Sequence, residues 1–426
     1  MGVSIIGCRR GQARICKPSR RGRAGLKGLE SQPASLNLVV LETVPSSRRG
    51  GQELSLLDLT RGLAQRGHRI TLLHVSEGDL MEQYGTFCSR IIHVHGYSIS
   101  PGHRLRDSFA FLRDLSRVRG RSSMLVYANQ YMDSLFAATI AKLHCSPFVC
   151  HLRLPPPDVF CTQFRLGMAQ ASRLIAVSER TRCDYVERGF NPDAIEVVHN
   201  GIDVSRVVVN GRSALRSRLG LEPEEFVVTY AGRFHPAKGV NTLLAAVARL
   251  RQEQVKCELL LAGSTEVVPA NGNHIADLRE QAESLGIARN VHWLGHQSDI
   301  PNLFAASDVV VLPSLWSEPF GRTAIESMAC GTPAVGSRTG GIVEILTGEF
   351  ERFTFTPGNC EELANVLMDL SGWRVRDAGL AQRCRQHVAE NFDLQRTLKG
   401  VEQVLLRTLK MYRSGSLPPI STGRIH

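Results

Sequence analysis

No stretch of this chain approaches the ~18 consecutive apolar residues that a membrane-spanning helix needs. Nor is there a C-x-x-C pair among the 11 cysteines, which are scattered and odd in number. That pattern argues against a disulfide framework and against a zinc site. It predicts small buried hydrophobes in a reducing, cytoplasmic setting. No D-x-D pair is present to converge on a divalent cation, so no metal is expected. No G-x-G-x-x-G follows any apolar run, which argues against a dinucleotide oxidoreductase.

What is present is an ordinary globular composition over 426 residues, with 43% hydrophobic and 21% charged side chains. That length exceeds what one core usually serves and predicts two domains. The formal charge of +11 raises a nucleic-acid or membrane reading. Its distribution weakens the first. Residues 1–36 hold eight basic side chains against one acid, a net +7. This Gly/Arg-rich leader (1–35) has no packed pattern and no signal-peptide apolar stretch. A disordered tail, a targeting segment and a mis-assigned start codon all fit it. No nucleic-acid partner is expected.

Folded structure should begin at "LNLVVLETV" (Leu36–Val44), a buried-type strand. From there apolar runs alternate with amphipathic stretches, among them "QELSLLDLTRGLAQRG", "HRITLLHV", "SMLVYA" and "SPFVCHL". Strands alternating with helices predict a parallel, doubly wound sheet. The rhythm breaks at "VVHNGIDVSRVVVNGR" and resumes at "EEFVVTYAG" (Glu224–Gly232). The prediction is two Rossmann-like domains facing across a cleft: residues 36–205 on the acceptor side, and residues 206–395 for a nucleotide. Residues 396–426 form a last helix and tail. Ligands in such sheets bind outside the carboxyl ends of the strands.

The most informative stretch is "SLWSEPFGRTAIESMACGTPAV" (Ser314–Val335). "DVVVLPS" ahead of it reads as a buried parallel strand. Pro319 biases Glu318 away from helical angles and suits the first turn of the helix itself. From Phe320 onward, Ala324, Ile325, Met328 and Ala329 form one apolar face, and Gly331 and Pro333 end the helix. Glu318 then sits in a βα loop, with Glu326 on the helix beside the same crevice. Gly321 leaves the first turn without a side chain. Free N–H groups and the helix dipole there favour a phosphate. The arrangement suits a nucleotide sugar, with its diphosphate at the helix start and a carboxylate on each side.

The E-x7-E spacing of Glu318 and Glu326, followed by "GGIVEIL", resembles the signature of the retaining glycosyltransferases of family four, with the GT-B fold. The resemblance implies that Glu326 holds the ribose hydroxyls and that Glu318 contacts the donor sugar as a catalytic residue. It implies a diphosphate on the backbone of Phe320, Gly321, Arg322 and Thr323. "YAGRFHPAKGV" carries Arg233 and Lys238, similar to the family's R-x4-K for the leaving diphosphate. Two cations in a glycine-bounded loop suit that anion. "RRGGQE" (Arg48–Glu53) resembles the family's G-G-x-E loop and puts Gly51 near the donor phosphates. "FVCHLRLPPP" places His151 where the family often has a histidine facing the donor sugar, which makes it the second catalytic candidate. "HNGID" (His199–Asp203) and the closing "AENFDLQRTLKGVEQVLLRTLKMYR" complete a resemblance from Leu36 to Tyr412. It is strong in the second domain and weaker in the first.

The resemblance implies transfer from a nucleoside-diphosphate sugar to an acceptor hydroxyl on a glycan, lipid or small molecule. Configuration would be retained and no cofactor required. An epimerase or phosphorylase on the same fold is the rival enzyme reading, though E-x7-E with R-x4-K favours the transferase. A different class is a basic peripheral protein. "HRLRDSFAFLRDLSRVRGR" (His103–Arg121) is basic and amphipathic, with Leu105, Phe109, Leu112 and Leu115 near one face. Such a helix either covers its own sheet or docks on an anionic membrane surface, at the inner face of the membrane.

Overall fold

A computed structural model describes residues 35–207, 212–263, 274–421 and 425. Apart from its last residue, the basic leader lies outside them. Thirteen short apolar strands form two all-parallel sheets among the described residues. In the first are β1 (Asn37–Glu42), β2 (Arg69–His74), β3 (Arg90–His93), β4 (Met124–Ala128), β5 (Phe148–Leu152), β6 (Arg173–Ala176) and β7 (Ile195–Val197). In the second are β8 (Phe226–Ala231), β9 (Cys257–Ala262), β10 (Val291–Gly295), β11 (Val309–Leu312), β12 (Ala334–Ser337) and β13 (Thr354–Phe355).

The strand orders are β3-β2-β1-β4-β5-β6-β7 and β10-β9-β8-β11-β12-β13. Each order reverses once, between β1 and β4 and between β8 and β11. Parallel strands covered on both faces must be apolar along their length, and β4, β5, β9 and β11 are buried at every position. At a reversal the flanking helices diverge to opposite faces and leave a crevice at the strands' carboxyl ends. Both predicted Rossmann-like domains therefore exist, each with one such crevice.

The helix Leu394–Ser414 follows the second sheet but packs on the first. Its Leu398, Val401 and Leu405 join a core with Leu38, Leu56 and Leu63. Fully burying each such side chain contributes roughly 1.5–3 kcal/mol. Gly62, on the helix Gly51–Gln65, permits the approach: a Cβ there would lie 2.5 Å from Leu398. Glu402 then accepts from Arg66 and pairs with His68, fixing the register.

Two local expectations need correction. The helix after β11 spans Arg322–Ala329 and begins after Pro319 and Phe320. Gly321, at φ +102°, breaks the helical path, so both residues stay in the loop. On the helix Arg104–Arg117, Leu115 does not share a face with Leu105, Phe109 and Leu112. It points inward with Ala110 and Phe111, while the other three are exposed.

Candidate active site

The two crevices open onto one cleft of about 750 Å³, a size suited to a small organic ligand. Loops after β1 and β4 form one wall, and loops after β8 and β11 form the other. Of the residues singled out in the sequence, Gly51, Arg233, Lys238, Glu318, Phe320, Gly321, Arg322, Thr323 and Glu326 all line it.

The loop after β11 puts Glu318 where three donors converge. Lys238 Nζ lies 2.5 Å from its Oε2, and Ser314 Oγ and Trp316 Nε1 each donate at 3.1 Å. Burial alone would push the carboxyl up. The Lys238 charge and these hydrogen bonds outweigh it, so Glu318 is held below its ordinary value. Lys238 also stands 5.2 Å above the Trp316 ring. Gly340 and Gly341 close the loop from behind: the Gly341 N–H donates to the Glu318 carbonyl at 2.7 Å. A side chain at position 340 would strike that carbonyl.

Glu326 lies one turn into the helix Arg322–Ala329. Arg322 Nε donates to Glu326 Oε1 at 2.6 Å, and its other nitrogens reach Ser55 and Asp58 of the first domain, both at 2.9 Å. Burial disfavours a charged guanidinium, but the two carboxylates outweigh that and raise its pKa. Gly51 makes room for this crossing, since a Cβ there would lie 3.1 Å from Arg322 Cδ. Across the cleft, Arg233 has no carboxylate within ion-pair distance among the described residues. It lines the cleft, and its charge acts on Glu53.

His151 does not join them. It lies on β5 with its ring fully buried, and its Nδ1 pairs with the Tyr127 hydroxyl at 2.5 Å. Its Nε2 has no hydrogen-bond partner among the described residues. Burial, with the Arg153 charge adding to it, holds the ring well below its ordinary value and hence neutral. The side chain from this strand that lines the cleft is Arg153, just past its carboxyl end. Arg153 is locked by Asn129 at 2.6 Å and Asn200 at 2.8 Å. Gln130, after β4, and Glu53, on the first helix, line the same wall. Burial raises the Glu53 carboxyl, although Arg49 pairs with it at 3.3 Å. Glu53 is the acid of the G-G-x-E loop, whereas no motif in the sequence singled out Arg153 or Gln130. The signal for Arg153 and Gln130 was their place immediately after a strand.

The wall carrying Arg233, Lys238, Glu318 and Glu326 offers cations, free helix N–H groups and two carboxylates within one crevice. That set can hold a phosphorylated ligand with vicinal hydroxyls. No group of three or more metal-ligating side chains occurs among the described residues.

Comparison with known proteins bears on the same segments. Residues 49–206 match the family described as Glycosyltransferase Family 4, and residues 211–386 match Glycosyl transferases group 1. A D-inositol 3-phosphate glycosyltransferase of Rhodococcus jostii (strain RHA1) is 35% identical over 260 residues, 59% of this chain and 56% of that protein. One from Salinispora arenicola (strain CNS-205) is 32% identical over 291 residues, 65% of this chain and 63% of its own length. The chain thus spans little more than half the length of these relatives. Among solved structures, Anabaena Alr3699/HepE in complex with UDP and glucose superposes with a TM-score of 0.76 at 25% identity. The match covers 87% of this chain and 99% of that one. A glycosyltransferase from Rickettsia africae shares the fold at 19% identity and TM-score 0.72, over 88% and 100% of the two chains. The fold is GT-B.

Proposed function

From a chain that joins a Glycosyltransferase Family 4 domain to a Glycosyl transferases group 1 domain on the GT-B fold, we propose a sugar transfer with retained configuration. The donor is a nucleoside-diphosphate sugar and the acceptor a hydroxyl group. One observation carries the reading. Glu318 and Glu326 stand on either side of a helix start at the sheet's reversal point, with Lys238 and Arg233 beside them.

In this reading Glu326 accepts from the ribose hydroxyls and Glu318 meets the donor sugar. The diphosphate lies on Arg233, Lys238 and the backbone N–H groups of Arg322 and Thr323. The bond between the anomeric carbon and the diphosphate oxygen breaks. The acceptor oxygen bonds to that carbon on the same face, and its proton passes to the departing phosphate oxygen. Charge grows on the leaving oxygen as the bond breaks, and preorganised cations stabilise it at no reorganisation cost. The cations supply what a metal would, so the reaction proceeds without one. The wall formed by Arg49, Glu53, Gln130 and Arg153 receives the acceptor. The name of the Rhodococcus relative makes a phosphorylated cyclitol the first acceptor to try. The HepE complex makes UDP the first nucleotide.

A thermal-shift screen of nucleoside diphosphates tests the binding half, because a ligand of the native state alone raises the melting temperature. NMR of the product formed from the matching sugar nucleotide, in excess EDTA, tests the chemistry. An inverted product, or a strict need for added magnesium, contradicts the proposal.

A further inference from the structure

The helix Arg104–Arg117 carries a surface that the proposed transfer does not use. Leu105, Phe109 and Leu112, at i, i+4 and i+7, are 90%, 72% and 66% exposed. Three large apolar side chains in one unpartnered row are an uncommon surface on a soluble domain. Beside them runs a second row, Arg106, Arg113 and Arg117, all well exposed. Each arginine of this row is paired with one of the helix's two acids: Arg106 with Asp107 at 3.4 Å, and Arg113 and Arg117 with Asp114 at 2.9 and 3.6 Å. Asp107 accepts from the Ser100 N–H at 3.0 Å and Asp114 from the His95 N–H at 2.6 Å, and both are buried. Four arginines against two acids still leave the helix net positive, and the exposed Arg119 and Arg121 extend that charge.

We propose that this face docks the first domain on an anionic lipid surface. An apolar row edged by arginines fits the boundary between acyl chains and acidic headgroups: the row enters and the guanidinium groups stay among the phosphates. Charge selects this occupant over others. The chain's own leader is net cationic and would be repelled. A second copy would bring the same positive face. The position also has a use. All strands of the first sheet are parallel, so the segment after β3 leaves at the carboxyl-end side, where the cleft opens. The helix begins there, with Leu105 in its first turn. Docking would bring the mouth of the cleft to the lipid surface.

The test is co-sedimentation of the full chain with vesicles of phosphatidylcholine alone and with 3:1 phosphatidylcholine:phosphatidylglycerol (a ratio of about that order suffices). The wild type should sediment with the anionic vesicles and not with the neutral ones. The triple variant Leu105→Ser, Phe109→Ser, Leu112→Ser should lose at least tenfold in partition while melting at the same temperature, because the three side chains touch no core. Phe109→Trp should show a blue shift in emission on anionic vesicles alone. Equal binding by the triple variant would assign attachment to the leader and overturn the proposal, as would failure of the wild type to bind. A wild-type dimer that the triple variant abolishes would make the face a self-interface and equally overturn it.

Discussion

Arg322 and Glu326 lie one helical turn apart and share a 2.6 Å hydrogen bond, while the same guanidinium crosses the cleft to Asp58 at 2.9 Å. The carboxylate assigned to the ribose is thus already held by a cation that also ties the two domains together. A nucleotide must share or displace that cation. Asp58→Asn removes the charge at the far end and leaves Glu326 untouched. It should lower stability by about 1 kcal/mol, since the pair is only partly buried. UDP affinity should stay within about threefold, read by calorimetric titration. A tenfold loss would make the bridge part of the nucleotide site.

Lys238 faces both Glu318 and the place assigned to the diphosphate. Lys238→Ala should depress turnover on the order of a hundredfold, about 2–3 kcal/mol, and more than it raises the donor KM. Without the lysine charge, burial dominates at Glu318 and its carboxyl rises. The acid limb of the rate profile should therefore move to higher pH. Initial rates across pH, once the donor is known, check both. Near-normal turnover would make Lys238 a surface charge.

Gly340 holds the Glu318 loop from behind. Its φ is +57°, and a Cβ would sit 2.0 Å from the Glu318 carbonyl oxygen, a backbone atom that cannot swing aside. Gly340→Ala should cost about 2 kcal/mol or more in stability and lower turnover by displacing the loop. Thermal melting and initial rates measure it. A wild-type melting temperature would refute the close approach.

Asp133 is buried between Thr43 and Gln130, and its Oδ2 lacks a partner among the described residues. Burial pushes its carboxyl up to about 7, against the lowering effect of those two hydrogen bonds. The folded state therefore holds this proton more tightly than the unfolded one. Between the unfolded value near 4 and the folded value near 7, stability falls as pH rises. Asp133→Asn should abolish this component. The variant should gain on the wild type from pH 5 to pH 8, by about 2–3 kcal/mol, in paired denaturant titrations. A constant difference across that range would contradict the assignment.

Much of this arrangement is legible in the sequence. Apolar runs and their spacing carry the alternation of strand and helix, because a parallel sheet must be apolar on both faces. Glu318 and Glu326 were legible for a local reason: a proline-bounded loop after a buried strand, then a helix, fixes where both carboxylates go. His151 was not. A histidine on a strand reads alike whether it faces a cleft or packs under one, and here Tyr127 holds it beneath the surface. Arg322 could be placed at the helix start but not tied to Asp58, which lies 264 positions earlier. The triad of Arg153, Asn129 and Asn200 joins three separate loops in the same way. The first contact depends on how the two sheets face each other and the second on how loops converge at one sheet's end, and no local pattern encodes either. Leu115 was misassigned because four leucine and phenylalanine positions near one arc cannot reveal where burial stops.

The most direct test of the central claim is a calorimetric comparison of UDP with 2′,3′-dideoxy-UDP on the wild type and on Glu326→Ala. If Glu326 accepts from the ribose diol, the wild type should prefer UDP by roughly 10- to 100-fold, the worth of hydrogen bonds to a charged acceptor. Glu326→Ala should bind both ligands about equally, at the weaker level. Equal affinities on the wild type, or a preference that survives in Glu326→Ala, would contradict the account.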